Sequence, residues 1–237
     1  RTDKGEAPLK ENMAAGLLKL SGWTPDMPLL DPFCGSGTIA IEAASIACGL
    51  VPGISRSFGF EKLLNFDREL WTELREDAKS EVNLHREVSI TASDISSIVV
   101  RKAEANALRA GLGGLLESGN LKFSVCDARN VLPPTETPGI IVANPPYGEQ
   151  STPRSATVGS MMRHVADNLK HNFAGWTAWM LTSDRHLPGE MHLKEGRKTV
   201  LFNGPLECRF FKFDLVAGSN RRVKNRDAAS DSTPSDA

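Results

Sequence analysis

The amino-acid sequence predicts an α/β fold, in which a doubly wound, seven-stranded mixed sheet carries helices on both faces. Three observations lead to this prediction. From Pro28 onward, short apolar runs alternate with longer segments of helical period, which is typical of parallel strands connected by helices. A glycine-rich turn follows the first apolar run, at residues 35–37. Near the end of the chain, Asn203-Gly204 separates two further strand-like segments and favours a hairpin, which makes one sheet edge antiparallel.

The strands are predicted from short apolar segments that are followed by turn signals. Trp176 and Trp179 both fall in the fifth of them and are interpreted as packing residues of the core and the sheet face. The seven segments comprise residues 29–31, 88–93, 121–126, 140–143, 176–182, 197–202 and 206–216.

The helices are predicted from apolar residues that recur every three or four positions. Pro8 in the first turn and Gly22 beyond the end indicate a helix over 8–20. Helices are also expected over 38–48 and near 157–172. The helix after the second strand is expected to pack on the sheet through Ile95, Val99, Ala103, Ala107 and Ala110.

Residues 49–87 are long for a single connection, and their apolar residues again follow a helical period. They are interpreted as a helical insertion whose repeating residues are Leu63, Phe66, Leu70, Leu74, Ala78 and Val82.

The domain organisation follows from length and composition. A chain of 237 residues supports one sizeable core, so we expect one globular domain over 1–220, which begins with the N-terminal helix region 1–27. Residues 221–237 are basic and then polar, and their composition is typical of a disordered tail. Their basic cluster is interpreted as a solvated end, with an RNA contact as the alternative, and consists of Arg221, Arg222, Lys224 and Arg226.

Charge and residue usage exclude several classes of protein. The formal net charge of −1 argues against a domain that holds a long duplex by electrostatics alone. No apolar run approaches the roughly 20 residues that span a bilayer, so we expect no membrane segment. We expect a cytoplasmic location. The five histidines and four cysteines show no metal-ligand spacing, so we expect no metal site, and the cysteines are expected to be free thiols.

Polar residues end four of the predicted strands. Asp31, Asp94, Asp127 and Asn144 follow the first, second, third and fourth strands respectively. Because open parallel sheets bind ligands beyond the carboxyl ends of their strands, these four side chains are the strongest candidates for a functional site.

A glycine loop links the first strand to the next helix. Its glycines permit a tight turn and close backbone approach, and the helix start offers free N–H groups to a ligand carboxylate. Gly35-x-Gly37-x-x-Ala40 also satisfies the dinucleotide-binding pattern, and a purely structural turn remains an alternative. The loop consists of Asp31, Pro32, Phe33, Cys34, Gly35, Ser36, Gly37 and Thr38.

Asn144-Pro145-Pro146-Tyr147 follows the fourth strand and indicates chemistry on an aromatic amine. Such an amine is a poor nucleophile because its lone pair is delocalised into the ring. A carboxamide oxygen and a backbone carbonyl can accept its two N–H hydrogens, so that the lone pair can point at an electrophilic methyl group. The prolines fix the direction of the carbonyl, and the tyrosine ring can stack on a base. An ordinary strand-ending turn is the structural alternative.

Together these segments resemble the amino-methyltransferases of the Rossmann-like fold, in which DPFCGSGT is similar to the S-adenosylmethionine loop and NPPY to the catalytic loop. The resemblance is closer to the THUMP-associated RNA guanine-N2 methyltransferases, notably the bacterial large-subunit rRNA type. It is carried by residues 6–23, 29–44, 144–149 and 203–208. In that family an RNA-binding THUMP domain precedes the methyltransferase catalytic domain, to which residues 1–220 would correspond. Because the chain starts without an initiator Met, we expect it to be a fragment with such a domain N-terminal to it.

The resemblance implies how S-adenosyl-L-methionine is bound. The loop from Asp31 to Thr38 would hold the methionine end of the cofactor. Asp94 would accept hydrogen bonds from the ribose hydroxyls, and Asp127 from the adenine amino group. The adenine faces would be covered by Ile95 and Ala128.

The resemblance also implies the catalytic residues. Asn144 and Pro145 would activate the target nitrogen, with Asn144 bordering the cofactor as well, and Pro146 would complete the rigid loop. Tyr147 would stack on the target base, and residues 8–12 would help to close the methionine end. The implied reaction is methylation of guanine N2 in large-subunit rRNA. Adenine-N6 methylation of DNA or RNA is the nearest alternative, and a catalytically silent RNA-binding domain is a more distant one.

Overall fold

A computed structural model describes residues 9–54, 56–146 and 153–217, with the backbone alone for 153–157. Pro8, Tyr147 and the predicted tail 221–237 with its basic cluster therefore lie outside the described residues. The helices comprise α1 (Glu11–Ser21), α2 (Thr38–Ala47), α3 (Arg68–Ser80), α4 (Ser97–Arg109), α5 (Gly113–Ser118), α6 (Pro153–Asn172) and α7 (Leu187–Met191). The strands comprise β1 (Leu29–Asp31), β2 (Ile90–Asp94), β3 (Leu121–Val125), β4 (Ile140–Ala143), β5 (Thr177–Thr182), β6 (Arg197–Asn203) and β7 (Leu206–Asp214).

The seven strands form one mixed sheet in the order β3-β2-β1-β4-β5-β7-β6. Strands β1 to β5 are parallel, whereas β7 runs antiparallel to both β5 and β6. The predicted fold class and the hairpin at Asn203-Gly204 are confirmed, since Asn203 pairs with Leu206 across the turn. The chain winds outward from β1 in both directions, so the crevice between β1 and β4 is the position at which such sheets bind ligands.

Two hydrophobic cores cover the two faces of the sheet. Neighbouring strand residues point to opposite faces, and Leu29 accordingly joins the core that contains α1 and α2, whereas Leu30 joins the core that contains α6. Trp176 and Trp179 are buried in these cores, as predicted. Helix α1 ends at Gly22, whose left-handed conformation (φ 75°) suits the residue that has no Cβ.

The helical insertion is shorter and more exposed than its periodicity predicts. A 3₁₀ helix at Gly59–Lys62 and α3 are its regular elements, so Leu63 and Phe66 precede the long helix and Val82 follows it. Leu63, Leu70 and Leu74 are at least half exposed. Trp71 contacts Phe58 and Phe60 edge to face, and this aromatic cluster belongs to neither sheet core.

The packing face predicted for the helix after β2 was partly wrong. Helix α4 buries Val100, Ala103 and Ala107, whereas Ile95 precedes the helix and is 67% exposed. Val99 is only partly buried, and Ala110 is an exposed residue at the end of the helix. The middle of the predicted face was right, and its ends were wrong because α4 begins at Ser97 and ends at Arg109, which leaves Ile95 and Ala110 outside the helix. Helices α5 and α7 were not predicted, because each contains fewer than two turns.

Candidate functional site

A cavity of about 940 Å³ opens at the carboxyl ends of the central parallel strands. Asp31, Asp94, Asp127 and Asn144 all border it, so the structure brings together the four strand-end residues that the sequence singled out. Their strands β1, β2, β3 and β4 are neighbours in the sheet, which is why residues more than 100 positions apart meet at one edge. A volume of this size is at the upper end of the range for pockets that bind small molecules and cofactors.

The glycine loop forms the floor of this cavity. The Cys34 N–H donates to the Ser93 carbonyl at 2.9 Å, and the Gly37 N–H donates to the Cys34 carbonyl at 2.8 Å, which fixes the loop on β2. Gly35 (φ 53°) and Gly37 (φ 87°) both adopt the left-handed conformation. A Cβ on Gly37 would lie 3.0 Å from the Ala103 Cβ, so this glycine also allows α2 and α4 to approach. All loop residues from Asp31 to Thr38 except Gly37 border the cavity.

Asp31 is a buried carboxylate at the end of β1. Its side chain is only 1% exposed, and its Oδ1 accepts a hydrogen bond from the Phe33 N–H at 3.1 Å. Burial, with a smaller contribution from the nearby Asp94 charge, raises the pKa of Asp31 from 3.8 to about 7. Among the described residues no cationic side chain forms an ion pair with it. A cationic group beside Asp31 would favour its ionised form, which burial disfavours.

Asp94 is oriented by two backbone donors. Its Oδ2 accepts from the Gly35 N–H at 3.2 Å, and its Oδ1 accepts from the Ser96 N–H at 2.9 Å. A carboxylate offers about four lone-pair sites, so roughly two remain for a ligand. The adjacent Ile95 borders the cavity, and its exposure leaves an apolar side chain available to a flat ring.

Asp127 lies beyond the end of β3 and is paired with Arg129. The guanidinium Nε donates to both carboxylate oxygens at 3.0 Å, and Nη2 donates to Oδ2 at 2.5 Å. These hydrogen bonds hold the pKa of Asp127 below its ordinary value. Ala128 is buried and borders the same end of the cavity, as does Arg129. The sequence analysis missed Arg129, which only its position two residues after a strand-end aspartate could have indicated.

Asn144 and Pro146 border the cavity directly after β4, whereas Pro145 is buried and is not among the described residues that line it. The structure thus places the first three residues of the motif at the sheet edge.

Helix α6 supplies a cavity wall that the sequence analysis did not anticipate. Val158 and Met161, one helical turn apart, border the cavity, and so does His164. The next residues on the same helix, Met162 and Val165, are buried in the core. Helical periodicity predicted the buried face, but a helix edge that borders a ligand cavity has no separate local signal. Leu9 also borders the cavity, within the segment 8–12 that the resemblance implied.

Other classes of site receive no support from the part of the chain that the structure describes. There, no group of three or more His, Cys, Asp or Glu side chains is arranged to hold a metal ion. The four cysteines are free, with Cys34, Cys48 and Cys208 buried and Cys126 partly exposed. No helix within the described ranges is long and apolar enough to cross a membrane.

Comparison with known proteins agrees with this geometry. Residues 1–212 match the family described as RMKL-like, methyltransferase domain. Ribosomal RNA large subunit methyltransferase K/L of Shewanella baltica (strain OS155) is 43% identical over 230 residues, which cover 94% of this chain and 31% of that protein. The protein of the same name from Shewanella loihica is 42% identical over 231 residues, with the same two coverages. The chain thus spans about a third of the length of these curated relatives.

Some solved structures with the same fold are more than 25% identical to this chain. SMU.472, solved in complex with SAH, has a TM-score of 0.78 and 29% identity, over 91% of this chain and 55% of that one. A protein from Listeria monocytogenes described as a predicted N6-adenine-specific DNA methylase has a TM-score of 0.77 and 32% identity, over 90% and 53% of the two chains. The fold, the cavity at the strand ends and the match over most of the chain lead to one conclusion: this chain belongs to the RMKL-like methyltransferase domain family.

Proposed function

We propose that this domain binds S-adenosyl-L-methionine and transfers its methyl group to the exocyclic amine of a nucleic-acid base. The proposed target is guanine N2 in large-subunit rRNA. One observation carries the proposal. Three carboxylates and one carboxamide, each at the end of a neighbouring parallel strand, border a single cavity of about 940 Å³. The similar structure SMU.472, solved with SAH, supports the choice of cofactor.

The carboxylate acceptors in the cavity fit this cofactor group by group. Asp31 would pair with the ammonium of the methionine end, whose charge would stabilise the ionised carboxylate that burial disfavours. The loop 31–38 would surround that end, and Asp94 would accept hydrogen bonds from the ribose hydroxyls. Asp127 would accept one from the adenine amine, with Ile95 and Ala128 against the ring faces. When bound, the cofactor supplies an electrophilic methyl group on a sulfonium.

The residues after β4 would prepare the nucleophile. The Asn144 side-chain oxygen and the Pro145 carbonyl would accept the two N–H hydrogens of the target amine, which pyramidalises the nitrogen and directs its lone pair toward the cavity. Pro146 keeps this loop rigid, and Tyr147 would stack on the base. After transfer, the nitrogen loses a proton to water, so no strong general base is needed. Interactions of this kind act mainly in the transition state.

The substrate assignment draws on the relatives. Two of them are named as methyltransferases of the large ribosomal subunit RNA, and the chain aligns with them over 94% of its length. The net charge of −1 supports an arrangement in which another region supplies most phosphate contacts. We therefore propose that a THUMP-type RNA-binding domain lies N-terminal to this segment. We also propose that the catalytic domain comprises residues 1–220, with the insertion 49–87, and that it acts in the cytoplasm.

Adenine-N6 methylation is the second candidate. The Listeria monocytogenes protein, 32% identical, is described as a predicted N6-adenine-specific DNA methylase. Asn144 and Pro145 can hold either amine, because both are attached to flat heteroaromatic rings. The full-length relatives favour the rRNA assignment.

The deciding experiment incubates this chain, and a longer form extended by the segments found in its relatives, with protein-free large-subunit rRNA and labelled S-adenosylmethionine. We expect N2-methylguanosine on nucleoside digestion and mass spectrometry, with much less from this chain alone. N6-methyladenosine, from rRNA or duplex DNA, would reject the guanine assignment and keep the amine chemistry. Cofactor binding without any methyl transfer from the longer form would instead indicate a catalytically silent RNA-binding domain.

A further inference from the structure

Arg129 occupies most of the acceptor capacity of Asp127. The Arg129 backbone N–H donates to Oδ1 at 2.9 Å, and the guanidinium donates through Nε to both oxygens and through Nη2 to Oδ2. These three N–H groups make four hydrogen bonds, two to each oxygen, and because the Nε hydrogen is shared, three hydrogens face about four lone-pair sites. About one site is left for a ligand.

The guanidinium group of Arg129 also restricts the orientation of the remaining acceptor site on Asp127. A guanidinium that contacts both oxygens of a carboxylate fixes the plane of that carboxylate. The Asp127 side chain is only 20% exposed, whereas that of Arg129 is 47% exposed. Both residues border the cavity, and Asp127 is the more enclosed of the two.

The backbone around the pair is held independently of the Arg129 side chain. The Cys126 N–H donates to the Asp94 carbonyl at 3.0 Å, and the Asn130 N–H donates to the Asp127 carbonyl at 2.8 Å. The Asn168 side chain on α6 donates to the Val131 carbonyl at 2.8 Å. Removing the guanidinium should consequently free the carboxylate without unfolding the loop.

We propose that Arg129 is a positioning residue which holds Asp127 as a single, oriented acceptor, and that this pair makes the site selective for a 6-amino over a 6-oxo purine in the cofactor. The inference depends on the proposed S-adenosylmethionine site. An ionised carboxylate whose position is fixed accepts from an amino group, and it repels a carbonyl oxygen that cannot turn away. Without Arg129 the carboxylate can rotate, so it loses orientation toward the amine and can avoid the carbonyl.

The test compares S-adenosylhomocysteine with S-inosylhomocysteine, which has a carbonyl in place of the 6-amino group and a hydrogen on N1, in calorimetric titrations of the chain. The wild-type protein should bind the adenosyl compound on the order of 10-fold to 100-fold more tightly, as one charge-assisted hydrogen bond allows. Arg129→Met should weaken that binding about 5-fold to 20-fold and leave the inosyl compound within about twofold. Arg101→Met, a change at an exposed arginine on α4, is the matched control and should alter neither affinity.

Equal weakening of both compounds in Arg129→Met would mean that the arginine only supports the loop and would overturn the proposal, as would no change in either. If Arg129→Met fails to fold, Arg129→Lys replaces it, because it keeps the charge and loses the paired N–H groups; it should discriminate between the two compounds less than wild type does, and unchanged discrimination would overturn the proposal. A wild-type chain that binds neither compound would instead reject the proposed cofactor site itself.

Discussion

Replacing Asp31 by asparagine should change how the stability of the cofactor-free chain depends on pH. The folded chain holds the Asp31 pKa at about 7, against an ordinary value of 3.8. Between those two values the folded state binds more protons at this site than the unfolded state does. Stability contributed by the protonated group is therefore complete below pH 3.8 and is lost progressively as pH rises to about 7. A difference of about 3 pH units corresponds to about 4 kcal/mol.

An asparagine side chain at this position cannot ionise, so the Asp31→Asn chain should not lose stability in this way as pH rises. Urea unfolding of both proteins, measured from about pH 4 to about pH 8, should show the free energy of unfolding of the variant rising relative to wild type by about 4 kcal/mol across the interval. Asp77→Asn changes an exposed carboxylate on α3 and is the control. Its free energy of unfolding should depend on pH as that of wild type does. Parallel curves for Asp31→Asn would refute the burial argument.

Bound S-adenosylmethionine should reverse the preference of Asp31 for its protonated form. An ammonium group beside Asp31 favours the ionised carboxylate, so saturating S-adenosylmethionine should stabilise wild type more strongly as pH rises toward about 7. Asp31→Asn should bind it weakly at every pH. Calorimetry in buffers of different ionisation enthalpy should detect proton release from wild type below about pH 7.

Three further changes test the remaining parts of the site. Asp94→Ala should weaken S-adenosylmethionine binding about 10-fold to 150-fold, because charge-assisted hydrogen bonds are worth roughly 1.5 to 3 kcal/mol; unchanged affinity in calorimetry would remove Asp94 from the site. Asn144→Ala should keep that affinity within a few-fold and slow single-turnover methyl transfer on the order of 100-fold or more, whereas equal losses would make the residue structural. Gly37→Ala should destabilise the chain by roughly 1 to 3 kcal/mol in thermal unfolding, since its Cβ would lie 3.0 Å from that of Ala103. Gly35→Ala, where nothing lies within 4 Å, should cost less, and the opposite order would contradict the steric argument.

The sequence alone determined the order of the strands along the chain and the residues at their ends. Apolar runs and turn residues are local signals, and the bounds predicted for β1 and β4 agree with the structure to the residue. Once the parallel sheet was inferred, the rule that strand ends meet at one edge was enough to place Asp31, Asp94, Asp127 and Asn144 around one site.

The tertiary structure alone decided the environment of those residues. The burial of Asp31 depends on how the loop and the neighbouring strands pack, and no local pattern distinguishes a carboxylate that is 1% exposed from one in water. The wall formed by Val158 and Met161 depends on where α6 packs across the sheet. The insertion shows the opposite case. Its helical period predicted α3, but the exposure of Leu70 and Leu74 shows that periodicity identifies an apolar face without indicating what, if anything, covers it. Local periodicity arises from backbone geometry, whereas burial arises from long-range contacts that a single sequence does not specify.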